Sequence, residues 1–222
     1  MGDVIRLAER RAARREKMEG HSGRGRIAGP SRVEFLFDLC CPFTYLAAER
    51  VDRAFDHVVW TAASSTALCC GSSVRDEADL ERVKAAAERR AAELRLPLVW
   101  PENFPCDVPA AMRAAAYASE HGRGGAFVLA AARLAFSGGF DLDDPEILAE
   151  AAAAARIGMQ NCLKAVGEVR RDGAIEAAGR RLLAVGADRL PALRVGRSLF
   201  WGEDRVAEAL AAARLEALAA SR

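Results

Sequence analysis

Little in this 222-residue chain suits a charged partner: 32 Lys and Arg face 31 Asp and Glu, leaving a net charge of only +1. A global field for nucleic acid or for a membrane is absent, and neither is expected as a partner. Histidine is scarce, with His21, His57 and His121 alone, and no serine or cysteine stands in a triad context, so hydrolysis by such a device is unsupported. Metal-ligand spacing is also lacking. The six cysteines fall as Cys40-Cys41, Cys69-Cys70, Cys106 and Cys162. Adjacent cysteines point apart on an extended chain, whereas zinc sites generally separate ligands by two or more residues, so no metal is expected. The first thirty residues contain no apolar h-region of a secretory signal, and four acids among them disfavour a transit peptide. The cysteines are therefore read as reduced thiols of a cytoplasmic protein.

What is present is an ordinary globular composition, 51 % hydrophobic and 28 % charged with 6 % aromatic, long enough for one substantial core. The first thirty residues stand apart. Eight basic residues, from Arg6 to Arg26, face Asp3, Glu9, Glu16 and Glu19, giving +4 there against −3 in the remainder. Residues 1–31 are read as a basic, flexible extension whose Gly/Ser/Arg-rich end is a linker, and 32–222 as one domain.

The chain is organised around VEFLFDLCCPFTYLAAERVDRAF, Val33 to Phe55. Val33, Phe35, Phe37 and Leu39 alternate as a buried strand requires. From Phe43 the period becomes helical, with Leu46, Ala47, Val51, Ala54 and Phe55 on one face. Pro42 suits the first turn of that helix, which leaves Cys41 at or next to its N-cap. Unpaired amides and the helix dipole favour a thiolate there, and such placement lowers a thiol pKa to roughly 3.5 to 7.5. Cys41 is thus a candidate nucleophile; a small buried hydrophobe is the other reading.

Downstream, His57 to Ala62 is a second strand, parallel to the first. Arg75 to Leu94 is an amphipathic helix with Leu80, Val83, Ala87 and Leu94 inward. LPLVWPENFPCDVP, Leu96 to Pro109, holds four prolines and is extended. Asp107 is expected to cap the following helix. Helices are then expected over Ala110 to Glu120, Gly125 to Phe136, Asp144 to Ala155 and Asn161 to Val166, forming an all-helical insertion at about 75–170. His121, beside Gly122, reads as an exposed C-terminal cap. A helix from Asp172 to Val185 leads to a hairpin, Leu190 to Val195 and Ser198 to Trp201, and a closing helix with Val206, Leu210, Ala211 and Leu215 inward.

Three of these words in order resemble the DsbA-like branch of the thioredoxin superfamily, most closely 2-hydroxychromene-2-carboxylate isomerases and kappa-class glutathione transferases. They are FDLCCPFTYLAAE, the proline-rich LPLVWPENFPCDVP, and GADRLP followed by FWGEDR. The resemblance implies an α/β, thioredoxin-like fold with a helical insertion. Those relatives carry Ser-Pro-aromatic-Ser/Ala where this chain has Cys41-Pro42-Phe43-Thr44; DsbA oxidoreductases carry Cys-Pro-X-Cys, so the nucleophile is present here without its resolving partner. Cys69 or Cys70 is an alternative partner if its loop lies at the same end of the sheet.

By the same resemblance Leu190-Pro191 is a cis bond beside the thiol ligand. Phe43, Thr44, Leu190, Pro191, Glu203 and Asp204 border a glutathione-type thiol, with Glu203 and Asp204 at its γ-glutamyl end or serving only as first-turn acids. Trp100 and Phe104 either line a hydrophobic substrate pocket or plug the core. Arg189 replaces a family glycine, a departure that would either crowd or recharge the groove. In the relatives a serine holds the thiolate of glutathione; in this chain Cys41 either stays protonated and donates, or itself attacks. The implied activity is a glutathione-dependent isomerase or transferase acting on a small hydrophobic molecule, as a homodimer. The alternatives are a monothiol disulfide oxidoreductase and a non-catalytic thioredoxin-like binding module.

Overall fold

The computed structural model describes residues 33–68 and 76–220. The basic extension and the Cys69-Cys70 pair lie outside the described residues. Strand β1 (Val33–Phe37) leads into helix α1 (Pro42–Ala54) and strand β2 (Val58–Ala62). Helices α2 (Glu77–Leu94), α3 (Pro109–Glu120), α4 (Gly124–Phe136), α5 (Pro145–Ala154), α6 (Met159–Val166) and α7 (Asp172–Ala184) follow. Strands β3 (Ala192–Val195) and β4 (Ser198–Trp201) and helix α8 (Val206–Ala220) close the chain.

The sheet order is β2-β1-β3-β4. β1 runs parallel to β2, with Val33 opposite Val58, and antiparallel to β3, with Val33 opposite Val195. The β3–β4 hairpin turns at Gly196-Arg197, where Gly196 has φ +55. β1 is buried on both faces and its alternation divides the core. Val33, Phe35 and Phe37 join α1, α3 and α4, where Trp60 meets Phe35 edge-on at 5.0 Å. Leu36 points the other way, onto Ala178 and Leu182 of α7 and onto Leu190.

The inserted helices are bound to this frame by charge as well as packing. Glu49 of α1 is buried and takes hydrogen bonds from Arg133 of α4 and from Arg53. Burial raises its carboxyl pKa, but the Arg133 hydrogen bond and charge, with Arg53, outweigh this and hold it below the usual range. Arg113 of α3 grips Asp172 of α7 through Nε at 2.7 Å and Nη2 at 2.6 Å.

Two sequence expectations fail. Pro109 starts α3 one residue earlier than expected, so the cap position falls on Val108 and no side chain caps the helix; Asp107 does not. In α8 the inward residues are Val206, Ala209 and Ala213, while Ala211 is exposed and Leu215 is 68 % exposed. Ala209 and Ala213, three and seven positions after Val206, let α8 lie close on the sheet, which leaves Leu210 half-buried against the core and turns Leu215 toward solvent. His121 is the exposed C-cap of α3, as expected.

Candidate active site

Cys41 is the N-cap of α1, with φ −93 and ψ 118 and no side-chain cap bond of its own. A short turn between β1 and α1 holds it in place. The Cys41 amide donates to the Asp38 carbonyl at 3.2 Å, and the Thr44 amide donates to the Cys41 carbonyl at 3.0 Å. Asp38 is buried inside that turn: Oδ1 accepts from the Cys40 amide at 3.0 Å and Oδ2 from the Ser65 amide at 2.8 Å. The carboxylate thereby ties the turn to the loop after β2, and Cys40 Sγ lies 3.6 Å from Ser65 Oγ. From the far end of the chain, the Leu190 carbonyl accepts from Cys41 Sγ at 3.7 Å. The Leu190-Pro191 bond is cis, as expected, and Phe104-Pro105 is cis as well.

The electrostatics reverse the expectation for Cys41. Burial, with 8 % of the residue exposed, pushes its thiol up to about 11. The amides of Thr44 and Phe43 and the Thr44 hydroxyl pull it down, as an N-cap should, but desolvation is the larger effect and the Asp38 charge adds to it. Cys40 is also raised well above the usual thiol value, by burial first and then by Asp38. Both are neutral thiols at physiological pH.

Cys41 forms part of the wall of a cleft of about 320 Å³. Its apolar walls are Pro42, Phe43, Val83, Phe104, Pro105 and Leu190; its polar groups are Cys40, Ser65, Thr66, Cys106, Asp107 and Arg189. Phe104 therefore lines the cleft, whereas Trp100 does not. The Trp100 ring sits 4.7 Å from Phe104 and packs edge-on to Phe136, and its Nε1 donates to Glu88 at 2.9 Å, so it backs Phe104 from behind.

A second groove adjoins the cleft at Phe43, Arg189 and Leu190 and continues to Arg90, Glu93, Gly202, Glu203 and Asp204. Phe43, Leu190, Glu203 and Asp204 are thus brought together. Thr44 and Pro191 are buried and line neither space. Glu203 is buried and bound to two arginines far away in sequence: Arg50 of α1, and Arg90 of α2 through Nε at 2.6 Å and Nη2 at 3.1 Å. The hydrogen bond to Glu203 raises the Arg90 guanidinium further above its ordinary value. Asp204 is exposed, with Arg189 Nη2 at 3.5 Å.

Sequence reasoning missed Arg50 and Arg90 as partners of Glu203, and Val83, Pro105 and Cys106 as cleft residues. Charged helix faces read as solvated, and nothing local marks which residue of such a face will find a carboxylate 113 or 153 positions away. Among the described residues, no cluster of three or more His, Cys, Asp or Glu is suited to a metal, and no helix is long and apolar enough to cross a membrane.

A family model described as the DSBA-like thioredoxin domain matches residues 32–213. Among solved structures, a 2-hydroxychromene-2-carboxylate isomerase superposes with a TM-score of 0.68 at 20 % identity, covering 81 % of this chain and 93 % of its own. A probable DsbA oxidoreductase from Streptomyces coelicolor gives 0.60 at 20 % identity, covering 84 % and 91 %. A candidate protein disulfide isomerase from Nitrosomonas europaea gives 0.63 at 16 % identity, covering 82 % and 96 %. At these identities the likeness is one of fold. No curated protein matches the chain by sequence.

Proposed function

Since the chain belongs to the DSBA-like thioredoxin domain family, we propose that it is a thiol-dependent enzyme of the isomerase or transferase type. It takes glutathione or another low-molecular-weight thiol as co-substrate and acts on a small hydrophobic molecule held over Cys41. The observation that carries this reading is the state of Cys41: a buried thiol pushed up to about 11, beside an apolar cleft, with Thr44 rather than a second cysteine three residues on. A neutral thiol is a hydrogen-bond donor and a poor nucleophile. It suits the role of holding a co-substrate thiolate better than that of attacking a disulfide.

In this reading Leu190, Phe43, Glu203 and Asp204 border the small thiol in the second groove. Its amide takes over the Leu190 carbonyl, and the Cys41 S–H turns to the ligand sulfur. The N-terminus of α1 supplies further stabilisation of that thiolate. The thiolate adds to a conjugated, electrophilic carbon of the substrate in the cleft, the displaced electron pair moving onto the conjugated carbonyl. Bond rotation and expulsion of the thiolate complete an isomerisation with no net oxidation; proton capture instead completes a transfer. The free thiols of Cys40, Cys41, Cys106 and Cys162 suit a reducing, cytoplasmic setting, and a homodimer is part of the proposal.

One observation favours a second reading, a monothiol oxidoreductase: cysteine stands at 41 where the isomerase relatives carry serine. Calorimetric titration with reduced glutathione, with mass analysis after exposure to oxidised glutathione, separates the two. The proposal expects binding that survives Cys41→Ser and little adduct at Cys41 at pH 7.5. Rapid formation of one mixed disulfide at Cys41, releasing one reduced glutathione, would install the oxidoreductase. Neither binding nor adduct would leave a binding module. A monomeric mass by light scattering would remove the dimer.

A further inference from the structure

Helix α8 is apolar on two opposite sides. Inward it presents Val206, Ala209 and Ala213 to the core. Outward, Ala207, Ala211, Leu215 and Leu218 are all exposed and recur at i, i+4, i+8 and i+11, one continuous stripe along a helix. Leu215 and Leu218, at 68 % and 65 %, are the most exposed large apolar side chains among the described residues. A helix that is apolar all round normally has neighbours all round, so the stripe calls for a covering element.

The location of the stripe points to its occupant. Val33, where β1 begins, pairs with Val195, and the hairpin turn at Gly196 follows directly. Glu216 of α8 lies against that turn: a Cβ on Gly196 would come within 2.9 Å of Glu216 Oε1. The last turns of α8, with Leu215 and Leu218, therefore stand at the end of the sheet where residue 32 enters β1. Residues 19–32 can span up to about 45 Å, twice the ~22 Å length of α8, so the whole stripe is within reach of the segment that precedes them.

The chemistry of that segment is complementary. At the helical period Val4, Leu7, Ala8 and Met18 share one face with Arg11 and Arg15. On α8, Glu208 and Glu216 border the stripe on one side, with Arg214 on the other. Glu208 is shared with Arg205 at 2.6 Å, an exposed pair that constrains it little. The first thirty residues carry +4 and the remainder −3. We propose that the outward face of α8 is the docking site of residues 4–18 of the same chain, with Val4, Leu7 and Ala8 on Leu215 and Leu218, and Arg11 and Arg15 toward Glu208 and Glu216. The docking is independent of the function proposed above.

The test is tryptic cleavage of the full chain within residues 6–17, read by intact mass, beside a synthetic peptide of residues 1–20. Wild type should be cut about tenfold or more slowly than the peptide, because cleavage follows the undocked fraction, and added salt should speed it. Leu215→Gln with Leu218→Gln should bring the rate to within about twofold of the peptide, since the two leucines supply most of the apolar contact. Their exposure means that the core survives both changes. Leu7→Gln should act alike, and adding it to the α8 pair should change nothing more, as expected of residues that share one contact. Val169→Gln, at an apolar residue 62 % exposed outside α8, should leave the rate as it is. The proposal is overturned if wild type is cut at the peptide rate, if the α8 pair stays protected, or if Val169→Gln acts as strongly. It is overturned too if protection fades on dilution together with a dimeric mass that the α8 pair abolishes, which would give this face to a second copy.

Discussion

Alkylation of Cys41 by iodoacetamide should be slow at neutral pH and should keep accelerating far into the alkaline range. Iodoacetamide reacts with the thiolate, so the rate follows the ionised fraction. With the thiol raised from 9.0 to about 11, that fraction at pH 7.5 is ~0.03 %, against ~3 % for an unperturbed thiol, a reduction of about 100-fold. Exposure of only 8 % slows the reaction further without changing its pH dependence. The log of the Cys41 rate, read by peptide mass after timed quenching, should rise with unit slope from pH 7 to 10. Asp38→Asn supplies the second arm: it deletes a charge that raises Cys41 while keeping an oxygen for the Ser65 amide, so the profile should move to lower pH. A rate that levels off below about pH 8 would refute the reasoning. It would mean that the amides of Phe43 and Thr44 outweigh burial and that Cys41 is a thiolate, which returns the chain to the oxidoreductase reading.

Alkaline stability follows from the same shift. The folded value lies above the unfolded one, so the contribution is complete below about pH 9 and is lost as pH rises to 11, by about 2.7 kcal/mol; urea midpoints should show this slope flattened in Cys41→Ser. Glu203→Gln should destabilise by about 1.5–3 kcal/mol in denaturant titrations. Removing one partner of a buried pair costs more than that, but Arg50 and Arg90 are 22 % and 29 % exposed and recover part of their hydration. Gly179→Ala should also destabilise, by roughly 1–3 kcal/mol, although alanine is the better helix former by about 1 kcal/mol. A Cβ there would overlap the Ser64 carbonyl oxygen, so backbone rather than a flexible side chain must move; an unchanged or raised midpoint would refute this packing of α7 on the site.

The framework of the site was legible because its signals are short-range. Alternation from Val33, the period change at Phe43 and Pro42 in the first turn placed Cys41 at the N-cap of α1. The same kind of signal placed the start of α5 at Asp144, which proves to be its N-cap, with a side chain that accepts from the Glu146 amide. Local signals also misled where a neighbour decided the outcome. Asp107 looked like a cap until Pro109 began α3 early. Leu215 looked like core until α8 settled on its alanines. Trp100 and Phe104 share one proline-rich segment, yet only Phe104 reaches the cleft, because Trp100 turns toward Phe136 and Glu88.

By itself the sequence determined the order of the elements, the position of the thiol on a helix end, and the fold with its inserted helices. Hydrophobic period, proline and capping act over a few residues and are written into consecutive letters. Tertiary structure alone decided the protonation state of Cys41 and the arginine partners of Glu203. Those depend on which distant groups exclude water from a thiol or reach a buried carboxylate: Leu190 over Cys41, Arg90 and Arg50 around Glu203. The helix end favours a thiolate in any fold, but burial outweighs it here, and burial is a property of the assembled chain.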